Sequence, residues 1–172
     1  MAEKISLTAL NALTHGEFVR LVGSVFEHSP WIAKMTWVEK PFVSLKQLHA
    51  ALAETVKNSG EAKQLELIRA HPDLVGRAAL AGTLTRESTN EQAGAGLNRL
   101  SPAEIILFQK HNADYQAKFD FPFVICARLN KKTAILAGFE KRLQNTRGHE
   151  IKTALEEIFK IAELRLRDLI HE

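Results

Sequence analysis

The stretch that decides the fold is Asp120–Asn130, "DFPFVICARLN", the only strand-like apolar run in the chain. A short apolar run fits a buried strand or a buried helix segment equally well, and its neighbours must arbitrate. Pro122 cannot donate to a ladder and marks a break, which favours an extended loop or a helix start. No second strand-like run is available to pair with it, so a sheet is improbable.

Outward from that run, the signals are helical. Towards the N-terminus, Ser101, Pro102 and Glu104 in "SPAE" supply a cap, a proline at the first helical position and a reciprocal carboxylate. They predict a helix through Ile105, Ile106 and Phe108 to about Ala117. Earlier, Thr14 and Glu17 make a capping box ahead of Phe18, Leu21, Val22, Val25 and Phe26. Pro30 interrupts at "HSPWI", and Trp31 and Trp37 beyond it read as core residues. Ser44 and Gln47 open a helix carrying Leu48, Ala51, Leu52 and Val56, which "NSG" closes at Gly60. "EAKQLELIRA" is a further helix, with Leu65 and Ile68 inward, that ends at about His71 because Pro72 follows.

Between Gly76 and Leu97 the chain is rich in glycine, alanine, serine and threonine, and reads as a loop feeding a helix that begins near Ser88. Towards the C-terminus, a helix from about Thr133 to Gln144 precedes a long one from about His149. The long helix carries Ile151, Leu155, Ile158, Ala162, Arg165 and Leu169 at three-or-four spacing. The prediction is an all-α chain, residues 1–172 forming a single compact multi-helix domain with a long C-terminal helix.

Composition agrees. The 172 residues are 45% hydrophobic and 25% charged, ordinary for a globular protein and unlike a disordered one. The formal charge is +3, with lysines and arginines interleaved with acids, so no stripe for nucleic acid stands out. Cys126 is the lone cysteine, which excludes an internal disulfide and a cysteine-cluster metal site; its apolar setting predicts an inert buried thiol. The seven histidines form no HxxxH or HExxH pair, so no metal site is expected. With no signal peptide and no eighteen-residue apolar run, the expectation is a cytoplasmic protein without membrane contact.

Three places carry candidate chemistry. His71 follows a helix and precedes Pro72 in "IRAHPDLVGR". It can be a passive C-terminal cap, or an acid–base group whose charge the helix end favours. Ser88 and Glu91 in "STNE" can be a capping box, or with Gln92 they can contact a polar, anionic ligand near a helix N-terminus. Arg165 lies on the apolar stripe of the last helix, where an unpaired charge is expensive. It either pairs with an acid or clamps a substrate carboxylate, and Arg167 competes for that role.

"FEHSPW", "AHPDL", "ESTNEQAGAGL", "FPFVICARLN" and "IAELRLRDL" occur in order from about Leu10 to Leu169, and together they resemble the OHCU decarboxylase family. Its members act on 2-oxo-4-hydroxy-4-carboxy-5-ureidoimidazoline in the path from urate to allantoin. The resemblance implies a helical homodimer without a cofactor. It places the catalytic histidine at His71, with Glu91 as its acidic partner and Pro72 against the substrate. Further substrate contacts fall on Ser88, Thr89, Asn90, Glu91 and Gln92, on the backbone of Phe123, Val124, Ile125, Cys126 and Ala127, and on Arg165. Eukaryotic relatives often end in a peroxisomal tripeptide; this chain ends "LIHE", which suits a bacterial cytoplasmic enzyme. The residues alone leave two other readings: a helical binding module for an acidic partner, and a hydrolase of a related ureide.

Overall fold

The computed structural model describes residues 4–172. It is mostly helical, with ten α-helices among the described residues. These are α1 (Leu7–Ala12), α2 (His15–Val22), α3 (Trp31–Thr36), α4 (Leu45–Lys57), α5 (Glu61–Arg69), α6 (Arg77–Leu80), α7 (Arg86–Gly94), α8 (Pro102–Phe119), α9 (Lys132–Arg142) and α10 (Arg147–Leu169). Asp120–Asn130 forms no strand: it is extended and ends in a short 3₁₀ turn at Ala127–Leu129. Asp120 stops α8 in the left-handed conformation, which turns the chain into this segment.

The structure departs from the no-sheet expectation at one point. β1 (Ile5–Ser6) pairs in parallel with β2 (Ile170–His171), Ile5 opposite Ile170. The ladder comes from backbone beyond the ends of helices and involves none of the apolar run, so hydrophobic patterning carried no sign of it.

Two compact units emerge, one reaching Ala70 and including Phe159–Glu172, the other spanning His71–Ile158. In the first, α2 starts from the expected capping box: Thr14 N–H donates to Glu17 and Glu17 N–H donates to Thr14 Oγ1. Helices α2, α3 and α4 pack around Phe18, Val22, Ile32, Leu48, Leu52 and Val56, all fully buried. Ala162, Leu166 and Ile170 from the chain's end are buried in the same unit. Trp31 and Trp37 are half-buried rather than core. Each carries a lysine over its ring, Lys63 at 4.8 Å and Lys40 at 3.5 Å from the centroid, a cation–π arrangement that needs an accessible face.

In the second unit, α8 shows the complete capping box of Ser101 and Glu104 and runs to Phe119, two residues past the expected end. Its buried stripe is Phe108, Asn112, Tyr115 and Phe119, at alternating steps of four and three, while Ile106 is exposed. Phe123 from the extended segment stacks on Phe139 of α9 at 3.8 Å and meets Tyr115 edge-on at 5.2 Å. That aromatic cluster anchors the apolar run in the core without a sheet.

Candidate active site

Helix α5 ends at Arg69 with Ala70 as its cap, so His71 lies just beyond the helix and opens the second unit. Its side chain is buried. The turn that follows, residues 71–76, is tightly constrained. Val75 has φ of +55°, a left-handed conformation that a β-branched residue adopts only under constraint. At Gly76, a Cβ would fall 2.6 Å from Asp73 Cβ, so no side chain fits there.

Three carboxamides hold this turn. Val75 N–H donates to Gln92 Oε1 at 3.1 Å, Asn112 Nδ2 donates to Leu74 O at 2.8 Å, and Gln116 Nε2 reaches the Asp73 carboxylate at 2.9 Å. Asn112 and Gln116 were missed in the sequence. Their i, i+4 spacing on α8 places them together, but nothing in it names the turn they bind.

Helix α7 begins at Arg86, two residues before Ser88, and its cap is Thr85, whose hydroxyl accepts from Ser88 N–H at 3.2 Å. Ser88 and Glu91 are therefore not a capping box; the cap belongs to Thr85, three positions before the amide it binds. Ser88, Glu91 and Gln92 share one face at i, i+3 and i+4: Ser88 and Gln92 are buried, and Glu91 is half-buried. Thr89 and Asn90 lie on the exposed face.

Much of the backbone of the Phe123–Ala127 segment is engaged by protein groups. Val124 O accepts from Arg142 Nη1 at 2.6 Å, Cys126 N–H donates to Glu157 Oε2 at 2.8 Å, and Cys126 O accepts from Asn130 Nδ2 at 2.9 Å. Ile125 is the one residue of the five that is not buried. Burial pushes the Cys126 thiol above its ordinary value, and the charges of Glu157 and Glu91 add to the shift. A buried thiol held protonated is a packing group, as its apolar setting predicts. Helix α7, which carries Glu91, packs on the 3₁₀ turn at Ala127–Leu129. The second unit thus brings together the turn after His71, the inner face of α7 and the Phe123–Ala127 segment.

Arg165 belongs to the first unit. It is buried, and its Nη1 lies 3.1 Å from Glu27 Oε2 and 3.4 Å from Val25 O. The acid expected as one answer to its burial is therefore present, in the "FEHSPW" stretch. Arg167 is exposed and pairs with Glu163 one turn back at 2.8 Å.

Comparison with known proteins gives this arrangement a context. The sequence profile of the OHCU decarboxylase family matches residues 11–167. The 2-oxo-4-hydroxy-4-carboxy-5-ureidoimidazoline decarboxylase of Halalkalicoccus jeotgali is 44% identical over 166 residues, covering 96% of this chain and 92% of the relative. That of Amia calva is 40% identical over 166 residues, covering 96% and 95%. A crystal structure of (S)-allantoin synthase aligns with a TM-score of 0.77 at 28% identity, over 97% of this chain and 54% of the other, which is about twice as long. A crystal structure of OHCU decarboxylase in the presence of (S)-allantoin shares the fold, with a TM-score of 0.64 at 23% identity over 80% of this chain and 88% of that one. By relatives and architecture alike, this is a helical carboxy-lyase. The chain belongs to the OHCU decarboxylase family.

Proposed function

We propose that the chain decarboxylates 2-oxo-4-hydroxy-4-carboxy-5-ureidoimidazoline to (S)-allantoin, with His71 as the acid–base group and Glu91 as its partner. The observation that carries this reading is the Gln92–Val75 hydrogen bond, which ties the inner face of α7 to the turn beginning at His71.

The substrate's carboxylate, hydroxyl and neighbouring C=N bond explain what the protein must supply. As the carbon–carbon bond breaks, carbon dioxide leaves and the electron pair forms a double bond between the two ring carbons. The imine electrons move onto the ring nitrogen, which takes a proton. The hydroxyl then yields its proton as the carbonyl forms, and the ureido-bearing carbon gains one. The substrate is its own electron sink, so the protein's work is positioning and proton transfer, and a placed acid–base group contributes about 10²–10⁴-fold in rate. His71 exchanges these protons, and delivery to one face sets the (S) configuration.

The orientation of Gln92 adds a constraint. With Oε1 accepting from Val75 N–H, its other end is the amide donor. Its amide donor is therefore the end left for a substrate carbonyl or carboxylate. Ser88 shares the inner face with Glu91 and Gln92. The exposed side chains of Thr89 and Asn90 make them the weaker candidates for contact. The roles of Pro72 and Arg165 as substrate contacts rest on the family resemblance, and so does a homodimeric assembly, which sedimentation would test.

The experiment is a coupled assay on freshly generated substrate, following the circular dichroism of allantoin. His71→Asn is expected to lose at least about a hundredfold in turnover while keeping its fold. Near-normal turnover would remove His71 from the mechanism.

A further inference from the structure

The second unit buries an ion pair that the proposed chemistry does not use. Arg142 Nε donates to Glu150 Oε2 at 2.8 Å, and both side chains are buried. The Tyr115 hydroxyl donates to the same carboxylate oxygen, and Asn145 Nδ2 donates to Glu150 Oε1 at 2.7 Å. Burial pushes the Tyr115 hydroxyl well above its ordinary value, so it remains a donor. The guanidinium lies 4.3 Å from the centroid of the Phe123 ring.

Such a pair is costly. Well-packed apolar residues in its place are often as stable or more so, and stability alone does not account for it. Its geometry suggests another use. After Nε is spent on Glu150, Nη1 donates to Val124 O at 2.6 Å, a charge-assisted bond to a segment that lies outside any helix. A trans peptide is planar and points its C=O and N–H in opposite directions, and the only cis bond among the described residues is Lys40–Pro41. Fixing Val124 O against Arg142 therefore aims Ile125 N–H the other way. Ile125 is the non-buried residue of the segment, and the next amide, Cys126 N–H, is already held by Glu157.

We infer that Arg142, locked by Glu150, is a positioning residue that sets the Val124–Ile125 peptide so that Ile125 N–H faces the ligand. This rests on the reading that the Phe123–Ala127 backbone binds substrate. Lysine cannot replace Arg142, because a single ammonium does not reproduce a planar fork that reaches Glu150, Val124 and Tyr115 together.

The test uses the full chain, with (S)-allantoin as the probe of the Ile125 amide by NMR and steady-state kinetics beside it. The variants are Arg142→Met combined with Glu150→Leu, which removes both charges, and Arg142→Lys, which keeps the charge and covers the case in which the first fails to fold. The wild-type Ile125 amide is expected to shift with (S)-allantoin. In a folded variant that shift shrinks and KM rises about tenfold or more, the equivalent of one positioned hydrogen bond, while kcat changes less. Wild-type KM and an unchanged Ile125 response in a folded variant overturn the inference and leave the binding reading intact. A wild-type Ile125 amide indifferent to (S)-allantoin overturns the binding reading and the inference with it.

Discussion

Val75 offers a sharp test of the turn after His71, because its strain reverses an ordinary rule. Its side chain is 3% exposed and its φ is +55°. Val75→Ala removes two buried carbons, a loss of about 1.6 kcal/mol at roughly 0.8 kcal/mol each, and leaves Cβ in the left-handed conformation. Val75→Gly removes one more carbon, and in most settings glycine is the less stable of the two by about 0.5–1 kcal/mol. At positive φ the order inverts, since alanine there is worse than glycine by more than about 0.4–1 kcal/mol after the freedom of the unfolded chain is included. Set against the roughly 0.8 kcal/mol of the extra buried carbon, this leaves Val75→Gly the more stable variant by about 0.5 kcal/mol, or about 1–2 °C in melting temperature for a chain of this size. Thermal unfolding of the three proteins side by side checks it. If Val75→Ala melts at or above Val75→Gly, the left-handed strain is not there. Turnover should rank the other way, because glycine loosens the turn that carries His71.

Two further perturbations follow from the buried and capping charges. Glu27→Gln removes the charge facing Arg165 and leaves a buried guanidinium undercompensated, a loss on the order of 3 kcal/mol that chemical denaturation would detect as a lower midpoint at unchanged slope. Glu104 is held below the ordinary carboxylate range, first by its hydrogen bond to Lys132 and then by Ser101 N–H. A group whose pKa is lower in the folded state stabilises above its unfolded value, about 4.3, and loses that contribution as pH falls through the folded value. Glu104→Gln should thus melt below wild type at pH 7, and the gap should close as the pH falls towards 3.

The helices were legible where a local rule carries the whole decision. Ser101, Pro102 and Glu104 announce the start of α8 through contacts made within four residues, and Thr14 with Glu17 does the same for α2. The buried stripe of α10 could be read from its period, including the odd position of Arg165. Partners were a different matter: Glu27 lies 138 residues away in sequence, and no local pattern points to it. The β1–β2 ladder was hidden for a related reason, since backbone pairing of two residues each asks nothing of side-chain order.

The start of α7 shows how one local rule can fit two neighbouring positions. Ser88 with Glu91 and Thr85 with Ser88 both offer a hydroxyl three residues before a helical amide, and the structure selects the earlier pair. The consequence is larger than a shift in boundary. Had Ser88 been the cap, its hydroxyl would serve the helix end and Glu91 would fold back on it. With Thr85 in that place, Ser88, Glu91 and Gln92 fall within the helix on its inner face, and Gln92 is able to reach Val75. One carboxamide then joins the helix that carries Glu91 to the strained turn after His71, the proposed acid–base group. A histidine and a carboxylate proposed to act together gain from such a tie, and the earlier cap is the one that sets Ser88, Glu91 and Gln92 on the face that forms it.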